Sequence, residues 1–204
     1  MLSNYIMTLN KQLLIAFIII AILFTLPILQ NPGISEQISL PVNVLIVKDT
    51  ENAFTSERNQ TDIVNLFNRV NTIWYQANTS FELKSINLVN ISTSEMNAIW
   101  RSPKGAVNLP SFDKDKINVI FIKNMSYNGI ALPEINSVFM PDHTSNREQV
   151  ALAHELGHIL GLEHRPNDRY LMFNFCNGTK IDLYETRIAR KNAKELSESF
   201  MLLT

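Results

Sequence analysis

Apolar positions run along this chain in three different patterns, and each pattern predicts a different kind of element. From Leu13 to Leu29 the sequence reads LLIAFIIIAILFTLPIL, interrupted only by Thr25 and Pro27 and free of charge, which is the pattern of a membrane-directed segment. Pro41 to Val47 (PVNVLIV) is a short β-branched and apolar run, read as a buried strand, and Ile117 to Ile122 (INVIFI) is a second run of that kind. Phe81 to Ile91 alternates well enough to be a strand, and Ile135 to Met140 is a shorter candidate. Thr61 to Ala77 places Ile63, Leu66, Phe67, Val70, Ile73 and Trp74 at helical spacing. Ser145 with Glu148 three residues on makes a capping box, predicting a helix from there through Val150, Leu152, Leu156 and Ile159 to about Leu160. Asp182 and Glu185 repeat the cap pattern ahead of a stripe of Ile188, Ala189, Ala193, Leu196, Phe200 and Leu203, a C-terminal helix. Strands alternating with helices early and helices late predict an α/β or α+β sandwich.

The organisation follows from the same pattern. Residues 1–12 precede the apolar segment 13–29, residues 30–40 form a linker with Pro32 and Gly33, and residues 41–204 form one domain. The length of the apolar run favours an uncleaved transmembrane anchor, while Gly33-Ile34-Ser35 offers a small-x-small triplet suited to signal cleavage and secretion. Lys11 before the run and only Glu36 just after it place the N-terminus in the cytoplasm and the domain outside. Eighteen basic and nineteen acidic residues give a net charge of -1 with no block of like charge, which argues against a nucleic-acid partner. Five N-x-S/T sequons, at Asn59, Asn78, Asn90, Asn124 and Asn177, fit export but are close to what composition alone supplies. The domain is expected to act as a monomer.

Cys176 is the sole cysteine, so a disulfide within the chain or a cysteine-rich metal cluster is excluded, and a zinc site must be built from His and carboxylate. Three of the four histidines, His154, His158 and His164, fall within eleven residues. On a helix, His154 and His158 stand one turn apart on one face, where two imidazoles reach one ion. Zinc catalysis generally takes three protein ligands, and a glycine turn at Gly161 would end the helix and return His164 to the same metal. Glu155 lies about 100° round the helix from His154, placed to act on a water at the zinc as general base. All five defined positions of HExxHxxGxxH are present, a coincidence on the order of 10⁻⁶ for this composition.

These residues resemble the signature of the metzincin zinc endopeptidases, and Tyr170-Leu171-Met172 resembles the Met-turn of that group. The resemblance implies His154, His158 and His164 as ligands of one catalytic Zn²⁺, Glu155 as general base, and Gly161 and Met172 as structural residues. It also implies a metzincin-like α/β (α+β) sandwich with a mixed, mainly parallel sheet, an active-site helix ending at Gly161, and a C-terminal helix. Gly129-Ile130-Ala131 is similar to the edge strand along which a peptide or protein substrate lies extended. Asn174 stands where some branches carry a metal-proximal tyrosine, so a further ligand of that kind is not implied. Cys176 reads as a small buried thiol, His143 as a turn residue, and Leu171, Phe173 and Phe175 as pocket or packing residues. The reading is a zinc endopeptidase; the alternatives are a zinc amidase or peptidase of narrow range and a zinc-dependent surface binding module without catalysis.

Overall fold

The computed structural model describes residues 36–202. The apolar segment 13–29, its anchor or signal reading and Leu203 lie outside them; among the described residues no helix is long and apolar enough to cross a membrane.

Five strands form one sheet: β1 (Ile38–Asp49), β2 (Thr79–Ile91), β3 (Ile117–Ile122), β4 (Ile130–Leu132) and β5 (Ser137–Pro141), in the order β2-β1-β3-β5-β4. β1 pairs in parallel with β2 and β3, β3 in parallel with β5, and the short β4 runs antiparallel along β5 at the edge. Strand β1 opens at Ile38, inside the span expected to be linker, because Ile38, Ser39 and Leu40 pair with Thr79, Ser80 and Phe81. β3 occupies the predicted span residue for residue. β5 begins two residues later than expected, since Pro133–Ile135 coil into a 3₁₀ turn that ends at the left-handed Asn136.

Both faces of the sheet are covered, which is why its strands read as continuous apolar runs rather than alternating ones. On one face Val42, Val44, Ile46, Val119, Phe121, Val138 and Met140 pack under three helices. These are α1 (Gln60–Trp74), α3 (Glu148–Ile159) and α4 (Leu183–Met201). On the other, Leu45, Val47, Ile120, Ile122 and Phe139 pack under α2 (Thr93–Arg101). A polar ladder also lies within the sheet: Asn43 donates to Asn118 Oδ1 at 2.8 Å and accepts from Ser85 at 2.6 Å and Asn87 at 2.9 Å, so the buried Asn43 amide is satisfied across three strands.

Helix α1 starts at a reciprocal cap between Asn59 and Asp62 and buries the whole predicted stripe. Trp74 at its end donates its indole N–H to the Ala153 carbonyl at 3.3 Å, tying α1 to α3. α4 begins on the predicted Asp182–Glu185 box. α2, which the apolar pattern did not disclose, starts on an equivalent box between Ser92 and Glu95.

The start of α3 departs from expectation. The helix begins at Glu148 with Arg147 as a cap residue that makes no side-chain capping bond. Ser145 instead donates its backbone and hydroxyl protons to Asn128 Oδ1 at 2.7 and 2.9 Å, and Glu148 pairs with Arg58 at 2.5 Å and with Arg69. Charged tertiary partners bind a carboxylate more strongly than one neutral backbone N–H does, so the local box loses.

Candidate metal centre

Helix α3 is buried nearly all round, Val150 to Gly157 without interruption, so it delivers its side chains into the interior of the fold. It stops at Gly161, whose φ is +74. Gly161 N–H donates to His158 O at 3.0 Å and Leu162 N–H to Gly157 O at 2.9 Å, the paired bonds of a Schellman motif, and the chain reverses. A side chain on Gly161 would collide with the Asn192 amide of α4, which donates to Leu160 O at 2.9 Å. Beyond the turn, Arg165 N–H donates to Met172 O at 2.8 Å, and the Arg165 guanidinium pairs with Asp182 at the start of α4 at 2.9 Å.

This backbone brings the three predicted imidazoles together. His158 Nε2 lies 3.2 Å from His154 Nε2 and 3.1 Å from His164 Nε2. His154 Nδ1 is 2.8 Å from Leu171 O and His158 Nδ1 is 2.8 Å from Leu162 O. Carbonyls only accept, so Nδ1 carries the proton in both rings and Nε2 presents a lone pair toward its neighbours. Lone pairs converging in this way are satisfied by a cation at their centre. Tetrahedral zinc with nitrogen ligands at about 2.05 Å holds neighbouring nitrogens about 3.3 Å apart, close to the spacing here. Burial, then the nearby His158 and His164 rings, push the His154 pKa down to about 4, against the bond to Leu171 O, so the ring is neutral at physiological pH. Burial likewise lowers His158. The donor set fits a metal ion.

Glu155 is 7% exposed and stands beside the triad. Burial pushes its carboxyl up to about 7, against a hydrogen bond from the Ala131 N–H of β4. Gly129 and Ala131 thus meet Glu155 directly, and β4 forms the sheet edge above α3. Met172 is fully buried with Sδ against the face of α3 at Gly157, the residue before His158.

Cys176 is 4% exposed, with donor atoms of His154, Glu155 and Cys176 within 4.8 Å of one another. Burial and then the Glu155 carboxylate push its thiol up to about 12. Leu171 is core, while Phe173 and the exposed Phe175 lean together at 5.5 Å on the loop after Met172. Exposed Asn174 lies between them. His143 is outside the triad and lines a polar cavity of about 320 Å³ with Glu57, Arg58, Asp62, Asp142 and Glu148. Asn192 and Arg165 escaped the sequence reading because their partners lie far along the chain; the Arg165–Asp182 spacing carries no periodic signal.

A family model of the matrixin peptidases matches residues 46–195. The chain belongs to the matrixin family. It is therefore a metallopeptidase domain of the metzincin clan, and the family implies zinc as its metal. No curated protein matches this matrixin. Among solved structures, metalloproteinase-II from Bacteroides fragilis is similar over 79% of this chain and 55% of its own, with 15% identity and a TM-score of 0.50. A chain in the structure of a chaperone-substrate complex is similar over 79% of this chain and 36% of its own, also with 15% identity and a TM-score of 0.50. Both likenesses concern the fold, and the matrixin spans little more than half the length of the first and about a third of the second.

Proposed function

We propose that this matrixin is a zinc-dependent endopeptidase of peptide or protein substrates, with His154, His158 and His164 holding the ion and Glu155 as general base and acid. The observation that carries this reading is the convergence of three imidazole Nε2 atoms at 3.1 and 3.2 Å, with Glu155 buried beside them. Zinc, when bound, supplies Lewis acidity that polarises a carbonyl and eases deprotonation of water. The Glu155 carboxylate, with a pKa pushed up to about 7, takes that proton and returns one to the departing amine, being matched to both directions near neutral pH. The Gly129–Ala131 edge orients an extended substrate backbone. The domain works as a monomer on the outer side of a membrane, tethered through residues 13–29 or released by cleavage after them.

The test is to load the full-length chain with zinc, incubate it with a diverse peptide mixture and read new termini by mass spectrometry beside Glu155→Gln. New internal cuts that vanish with chelator and with the variant are expected. A folded, zinc-loaded protein that makes no cuts would sink the endopeptidase reading in favour of a binding module.

A further inference from the structure

We propose that Gly129 is a positioning residue for Glu155: the missing side chain at this point of the sheet edge leaves the space in which the base lies. A Cβ built on Gly129 would stand 2.5 Å from Glu155 Cγ, 3.1 Å from Glu155 Cδ and 3.0 Å from Met140 Sδ. Real Cβ atoms do not approach carbon that closely, so even alanine forces one of these neighbours to move. Gly129 has no left-handed φ that would account for glycine there; the positive φ among the described glycines belongs to Gly161. Close approach remains as the reason, which is a common meaning of an isolated glycine at a strand.

The geometry explains why the base needs such a boundary. Glu155 is a long, flexible side chain, yet it is 7% exposed, and the Ala131 backbone amide lies near enough to its carboxylate to favour the charged form. The neighbouring Cys176 thiol closes another side. Gly129 therefore borders the methylene stem and the Ala131 amide faces the carboxylate head, and together they set where the carboxylate stands relative to the imidazoles. Adding one methyl at residue 129 pushes the stem rather than the sheet, because β4 is pinned to β5 through Ile130, Ala131 and Leu132.

The inference rests on Glu155 being the base, and it assigns Gly129 a role distinct from lining the substrate strand. The two roles separate kinetically. Displacing a catalytic group by about 1 Å costs on the order of 10²-fold in rate, so Gly129→Ala in the full-length, zinc-loaded chain should lower kcat by roughly that factor. Zinc stoichiometry should stay at the wild-type value and KM within about three-fold of it. Activity within about three-fold of wild type, a rise in KM with kcat preserved, or loss of zinc with the activity would each overturn the proposal. A stability cycle guards against a variant that fails to fold. Glu155→Ala removes the atoms in the way, so Gly129→Ala should cost much less thermal stability in that background than in the wild type, and equal costs would overturn the proposal. If Glu155→Gln itself leaves cleavage intact, the base reading has failed instead.

Discussion

Asn192 of the C-terminal helix donates its side-chain amide to Leu160 O, the carbonyl at which the helix carrying His154 and His158 comes to its end. Its amide also occupies the space a Gly161 side chain would need. One residue on α4 therefore caps the helix that carries His154 and His158 and fixes the turn that returns His164. A hydrogen bond of this kind contributes about 1 kcal/mol. Asn192→Ala should weaken zinc binding several-fold in a chelator competition while leaving the far-ultraviolet circular dichroism unchanged; an unaltered zinc affinity would count against this brace.

Gly161→Val should do more harm. A β-branched residue at φ +74 is strained, a left-handed L-residue costing roughly 1–2 kcal/mol before packing is considered, and the collision with Asn192 adds to it. The expected result is a midpoint of urea unfolding lowered by more than the Asn192→Ala variant shows, together with loss of stoichiometric zinc. Retention of full zinc content by Gly161→Val would show that His164 reaches the metal without this turn.

Asp49, at the end of β1, predicts a pH dependence. Burial raises its pKa, but hydrogen bonds from Thr93, Thr55, Phe54 and Ala53 together overcome this and bring it down to about 2, from an ordinary 3.8. A carboxyl depressed in the folded state stabilises above its unfolded pKa and loses that contribution as pH falls through the folded value. The window is therefore pH 4 down to 2, and the contribution is roughly 2–3 kcal/mol. Asp49→Asn should lack this slope, so the difference between wild-type and variant unfolding free energies should shrink as pH falls from 4 to 2; parallel curves across that window would refute the assignment.

Cys176 should behave as an inert thiol despite its place beside Glu155. With its pKa pushed up to about 12 and 4% exposure, it offers almost no thiolate and little access at pH 8. Iodoacetamide should leave the native protein unlabelled over hours and label it fully in denaturant. Rapid labelling of the native state would place the thiol in solvent.

Local partners decided which elements could be read in advance. The Asp182–Glu185 box holds in the structure because Arg165 approaches Asp182 Oδ2 and Glu185 Oε1 and leaves Asp182 Oδ1 and Glu185 Oε2 to the two backbone N–H groups, and the Ser92–Glu95 box, present in the same form, marks the start of the overlooked α2. Ser145–Glu148 has the right spacing but fails, since Arg58 and Arg69 from elsewhere in the chain claim Glu148. β4 is three residues long and half-buried, too short to show a period, and its position at the sheet edge came from resemblance rather than pattern.

The primary sequence by itself determined that His154 and His158 share one helical face and that glycine at 161 lets the chain turn toward His164, because both follow from helix periodicity and from the conformations open to a residue without Cβ. Tertiary structure alone decided what makes those residues a site. The carbonyls of Leu171 and Leu162 orient the imidazoles, Asn192 and the Arg165–Asp182 pair hold the third histidine's loop, and Gly129 leaves room for Glu155. Most of these contacts join residues more than ten positions apart, brought together by burial of apolar faces on the sheet rather than by any local preference, so no window along the chain contains them.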